Sequence, residues 1–164
     1  MGRADAHAGV ATRRLKLRAL DDDDLTVLSA QLQDAIVPIG DMGYLAGENR
    51  FVMVVNRFVW EAGEVTAATA EQGDEAVYLR SNCGVRFDGV KEVRVRGLDL
   101  HDRAAILDLL AIRPAGGALL LEFAGDATVR LDVDRIDCRM EDIGDPWPTT
   151  RRPVHTFEGD DRTS

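Results

Sequence analysis

Residues 15–61 and 93–139 align at a constant offset of 78 without a gap. Internal self-similarity constrains a fold more than any local pattern, because each copy must bury the same apolar positions. Nine of the 47 aligned pairs are identical, among them Arg18/Arg96, Asp21/Asp99, Asp24/Asp102, Gly47/Gly125 and Arg57/Arg135. The apolar phase also matches: Leu15 and Leu17 face Val93 and Val95, and Phe51 and Met53 face Val129 and Leu131. This predicts an internal structural repeat.

Both copies open on a short alternating strand, Leu15–Leu20 or Val93–Leu98. Next comes the skeleton L-D-x-x-D. Asp21 or Asp99 suits a helix N-cap, and Asp24 or Asp102 falls where a capping box closes. Leu25, Leu28 and Leu32 follow at helical spacing, as do Ile106, Leu109 and Leu110. Pro38 and Pro114 then end the two helices. A strand, a turn at Ala46-Gly47 or Ala124-Gly125, and a longer strand complete each copy. The apolar phase of the longer strand breaks at Asn56-Arg57 and at Asp134-Arg135, which predicts a β-bulge or tight turn at both places.

The expected fold is α+β. Two similar β-α-β-β(-β) halves would each lay one helix on a mostly antiparallel sheet. The expected boundaries are a flexible N-terminus at 1–14, a first half at 15–61, an acidic linker loop at 62–75, a second half at 76–143 and a proline-rich extended tail at 144–164. The copies differ on one strand face. Arg130, Asp132 and Asp134 give the second copy a wet face, whereas Val52 and Val54 make the first copy's strand apolar on both. Something should therefore cover Val52 and Val54: the other half, the tail or a second subunit.

Composition narrows the partners. The chain is 45% apolar and 30% charged, as globular proteins are, with a net charge of −9. That charge disfavours nucleic acid and anionic membrane surfaces. Two cysteines are too few for a disulfide framework, and no histidine has a neighbour at metal-ligand spacing, so no metal and no cofactor are expected. The N-terminus has no apolar signal region and no run is long enough to span a membrane, which points to the cytoplasm.

No nucleophile motif, phosphate loop or dinucleotide fingerprint occurs, so no catalytic residue is assigned and the balance leans away from an enzyme. Asp21 to Asp24 read as a solvated helix start, His101 as a surface residue and Cys138 as core. Cys83 has only Arg80 and Arg86 nearby in sequence to activate it. Two candidate sites remain. Arg57 and Arg135 would converge on an anion if a pseudo-two-fold related the copies; otherwise each pairs with an acidic neighbour. Trp147, Arg151 and Arg152, in a stretch stiffened by proline, would either dock a partner or pin the tail to its own domain. The resulting reading is a non-catalytic binding or adaptor protein with a protein partner or as a homodimer. The alternative is a small-molecule or anion-binding regulator or enzyme with its site between the halves.

Four stretches carry a resemblance: Leu17-Arg18-Ala19 to Leu25, Ala30 to Ala35, Gly40-Asp41-Met42-Gly43-Tyr44, and Asn56-Arg57-Phe58-Val59-Trp60-Glu61. Over about residues 15 to 150 the chain resembles a small bacterial family known only as domain of unknown function 2948. The resemblance implies a compact cytoplasmic protein and assigns no activity or residue roles.

Overall fold

The first capping box forms as its sequence dictates. In the computed structural model, which describes residues 14–62, 65–69 and 73–149, the Asp21 carboxylate accepts from the Asp24 N–H at 2.8 Å. The Asp24 carboxylate accepts in return from the Leu20 N–H at 3.2 Å. Helix α1, Asp22–Gln31, follows directly, with three aspartates in its first turn where the helix dipole favours negative charge. Leu25, Leu28 and Leu32 are fully buried.

The second L-D-x-x-D does not start a helix. Asp99 accepts instead from the N–H of His101, two residues on, at 2.9 Å, and Asp102 donates its N–H to the Asp99 carbonyl at 3.0 Å. These contacts close turns rather than a helical entry. Divergence begins just upstream. Where the first copy has buried Ala19, the second has Gly97 at φ 77°, and a Cβ there would meet the Asp126 carbonyl oxygen at 2.5 Å. The segment expected to be the second helix is a strand, β8, Ile106–Pro114.

The expectation of two α+β halves, each with its own helix, is therefore overturned: the protein is a sheet-dominated antiparallel fold with one α-helix among the described residues. The reason is tertiary. A run such as Ile106–Ile112 satisfies helix and strand periodicity equally, and partner strands decide. Here β8 pairs with β2, Ala35–Pro38, on one side and with β9, Ala118–Phe123, on the other. Helix α1 in turn lies on β8 and β1, and its Ser29 hydroxyl accepts the Ile112 N–H at 2.9 Å. The second copy supplies the floor for the first copy's helix, so the two are complementary rather than equivalent.

The remaining strands are β1 (Lys16–Ala19), β3 (Met42–Leu45), β4 (Arg50–Phe58), β5 (Val65–Thr69), β6 (Gly73–Asp88), β7 (Val90–Arg96), β10 (Ala127–Val133) and β11 (Cys138–Thr149). Their order is β1-β11-β6-β4-β2-β8-β9-β10-β7, with β3 beside β4 and β5 beside β6. Both copies keep a hairpin, β3–β4 and β9–β10. Their first strands have different fates: β7 pairs with β10 of its own copy, whereas β1 pairs with β11. The segment read as an acidic linker carries β5, which forms a hairpin with the start of β6.

The bulge expected at Asn56-Arg57 is also corrected. The β4–β6 ladder runs from Arg50↔Asp88 to Phe58↔Arg80 without a shift. Phe51, Met53, Val55 and Arg57 all point inward and are buried, so the apparent phase break is an arginine at a core position. Near the second place the register slips between Asp132 and Val133, where β10 meets β7, whereas Asp134-Arg135 lie in a bend past the end of β10. One apolar core draws on both copies: Leu25, Leu28, Phe51 and Met53 join Leu109, Leu121, Val129 and Leu131.

Candidate functional site

Strand alternation places the opposite faces of β1, β11, β6 and β4 outside. With the inward set fixed by Phe51, Val85, Phe87, Cys138 and Met140, the outward set is Lys16 and Arg18, Arg139 and Glu141, Gly84 and Arg86, and Val52 and Val54. Pairing then lines these residues into rows. Arg18 is opposite Arg139, Arg139 opposite Arg86, and Arg86 opposite Val52. The next row reads Lys16, Glu141, Gly84, Val54.

The result is an open groove of about 840 Å³ across the sheet face. Its apolar part holds Val52, Val54 and Ile143, with Val54 40% and Ile143 51% exposed. Gly84 lies on its floor, where an added Cβ would come into van der Waals contact with Ile143 Cδ1 at 3.4 Å. The apolar stripe that the sequence left two-faced stays partly exposed among the described residues, Val54 most of all.

The arginine row is short of acceptors. Like charges directly opposite each other across a sheet repel. Arg18 reaches both oxygens of Asp137, at 3.3 and 3.4 Å, and Arg86 reaches Asp88 at 3.0 Å. Asp88 is shared with Arg50, at 2.8 Å. Burial works against the Asp88 carboxylate, but the hydrogen bonds from Arg50 and Arg86 hold it below its usual range. Arg139, in the middle, comes only within 4.0 Å of the same Asp137, and its Nε is buried without a hydrogen-bond partner.

Beneath the groove lies the one arginine that is fully buried among the described residues. Arg57 donates Nε and Nη2 to the two oxygens of Asp142, each at 2.8 Å. It donates Nη1 and Nη2 to Glu61 at 3.0 and 2.7 Å, and Nη1 also reaches the Phe58 carbonyl at 3.4 Å. All five N–H groups are occupied. Burial works to lower the Arg57 pKa, but the bonds to Asp142 and Glu61 outweigh it and the net shift is upward. Burial likewise opposes ionisation of Asp142, yet Arg57 and the Leu15 N–H hold its carboxyl below the ordinary value. Asp142 also donates its own N–H to the Leu15 carbonyl at 2.9 Å. The pair thus fastens the start of β1, and with it one wall of the groove.

The residues singled out from the sequence fall elsewhere. Arg135 is exposed after β10 and lines a smaller cleft of about 330 Å³ with Asp22 and Asp134, whereas Arg57 lines neither cavity. Trp147 is half-buried in β11 opposite Arg80 of β6. Arg151 and Arg152 lie outside the described residues. His101 is exposed beside Asp99. Cys83 is buried, and burial together with Asp142 pushes its thiol up to about 12, which leaves it almost wholly protonated at neutral pH. Cys138 is buried too, and its thiol is likewise pushed up, mainly by burial.

Sequence reasoning missed Arg18, Arg86 and Arg139. Their outward phase was visible in L-K-L-R, V-R-F-D and C-R-M-E, but their neighbourhood depends on which strands pair. Among the described residues no cluster of His, Cys, Asp and Glu could hold a metal, and no helix is long and apolar enough to cross a membrane.

Fold and groove together define an antiparallel β protein with one α-helix among the described residues and an open, arginine-lined sheet face. The family described as "Protein of unknown function (DUF2948)" matches residues 15–155, and the chain belongs to that family. No curated protein and no solved structure matches.

Proposed function

We propose that this is a non-catalytic binding protein, an adaptor whose working surface is the groove over β1, β11, β6 and β4 and whose occupant is a segment of a partner protein. The observation that carries the reading is the partly exposed apolar stripe of Val54 and Ile143 inside a cation-lined groove. An exposed apolar patch rimmed by polar groups is the usual mark of an interaction surface. Openness argues for a macromolecule, because small-molecule sites bury most of their ligand and this groove lies flat on a sheet. The absence of any nucleophile motif in the sequence fits the same reading.

The tail, with Trp147, Arg151 and Arg152, is the competing docking element. A small-anion regulator or enzyme built on Arg57 and Arg135 has less support, since Arg57 has no N–H left for a ligand.

Native mass spectrometry of the protein purified from its own cells tests this. A co-purifying chain should be lost from Val54→Asp and Ile143→Asp and kept when residues 150–164 are deleted. Loss on tail deletion with retention in both groove variants would move the site to the tail. A small retained mass that survives both groove changes would favour the anion reading.

A further inference from the structure

The groove has a feature that an apolar docking surface does not need: three arginines from three adjacent strands, Arg18, Arg139 and Arg86, set directly opposite one another. Neighbouring strands lie about 4.8 Å apart, so each of the three arginines stands opposite another in the ladder. Within a chain of net charge −9 this is a local reversal of sign. The carboxylates present do not discharge it. Asp137 serves Arg18 and Arg139 together, and Asp88 serves Arg86 and Arg50 together. Arg139 is left with one ion pair at 4.0 Å and a buried Nε that donates to nothing. A buried donor without an acceptor is costly unless an acceptor arrives.

We infer that the partner segment this groove takes is acidic, with carboxylates placed on Arg139 and its two neighbours and an apolar side chain on Val54 and Ile143. This rests on the groove being the working surface. An incoming carboxylate would meet these guanidinium groups with charge-assisted hydrogen bonds. The apolar strip begins on the next strand, β4, with Val52 opposite Arg86 and Val54 opposite Gly84, so charge and apolar contact lie side by side at strand spacing. An extended segment with alternating side chains matches that spacing. Sign complementarity also favours such a partner: the chain is acidic as a whole, and this face gathers Arg14, Lys16, Arg18, Arg86 and Arg139.

The experiment uses the full-length protein and three short fluorescein-labelled peptides, each with one leucine flanked by glutamate, glutamine or lysine, read by fluorescence anisotropy. The glutamate peptide should bind about tenfold or more tightly than the glutamine peptide. That preference should shrink as salt is raised. Arg139→Gln and Arg86→Gln, confirmed folded by their thermal melts, should abolish it, while Val54→Asp should weaken both peptides. Equal binding of the glutamate and glutamine peptides, with both weakened by Val54→Asp, would overturn the acidic partner and leave the groove reading standing. A glutamate preference unchanged in both arginine variants would place the acid elsewhere and overturn the inference. Binding of none of the peptides would overturn both readings.

Discussion

Arg57 is the residue that most misled the sequence reading and most explains the structure. It looked like a break in the apolar phase because an arginine stood where a Val or Ile was due. It is fully buried, and Asp142, from a strand far along the chain, neutralises it. Removing Asp142 takes two acceptors from the buried guanidinium and leaves Glu61 as its remaining carboxylate. Asp142→Ala should cost about 3–5 kcal/mol in urea denaturation at neutral pH. The pH dependence has a defined sign. The Asp142 carboxyl is held below its ordinary value in the folded state, so its contribution is present above the unfolded pKa and is lost as pH falls through the depressed folded value. The gap between wild type and Asp142→Ala should therefore narrow in acid, and a gap that stays constant down to low pH would contradict the pairing.

At the scale of elements, one motif written twice gave two outcomes. Asp21 and Asp24 form a reciprocal capping box, and Asp99 and Asp102 close turns ahead of a strand. A helix N-cap is worth about 1 kcal/mol, so Asp21→Ala should lower stability by roughly that amount and reduce helical ellipticity. Asp99→Ala should lower stability much less and leave ellipticity unchanged. Equal losses in the two variants would mean that Asp99 holds more than a local turn. The first helix was legible because cap, acidic first turn and apolar spacing agreed with one another. The second was misread because Ile106–Ile112 fits either period, and nothing local revealed that β2 and β9 would flank it.

Across the whole molecule, the two aligned spans share one core: Leu25, Leu28 and Met53 pack in the same cluster as Leu109, Leu121 and Val129. Two independently folded halves would melt separately. A shared core should melt once, with calorimetric and van't Hoff enthalpies equal. Two resolved transitions would show that the halves are separate after all. The candidate site belongs to this same scale. Each of Arg18, Arg86 and Arg139 was readable as outward-facing from strand alternation, but the row exists only because β1, β11 and β6 lie side by side. Sequence by itself determined what depends on neighbours a few residues away: the capped first helix, most of the strands, the two hairpin turns and the two-faced apolar stripe at Val52 and Val54. Tertiary structure alone decided the fate of the second L-D-x-x-D, the burial of Arg57 and the assembly of the arginine row. Those depend on partners from distant parts of the chain, whose pairing free energy outweighs local preference and leaves no mark in any short window.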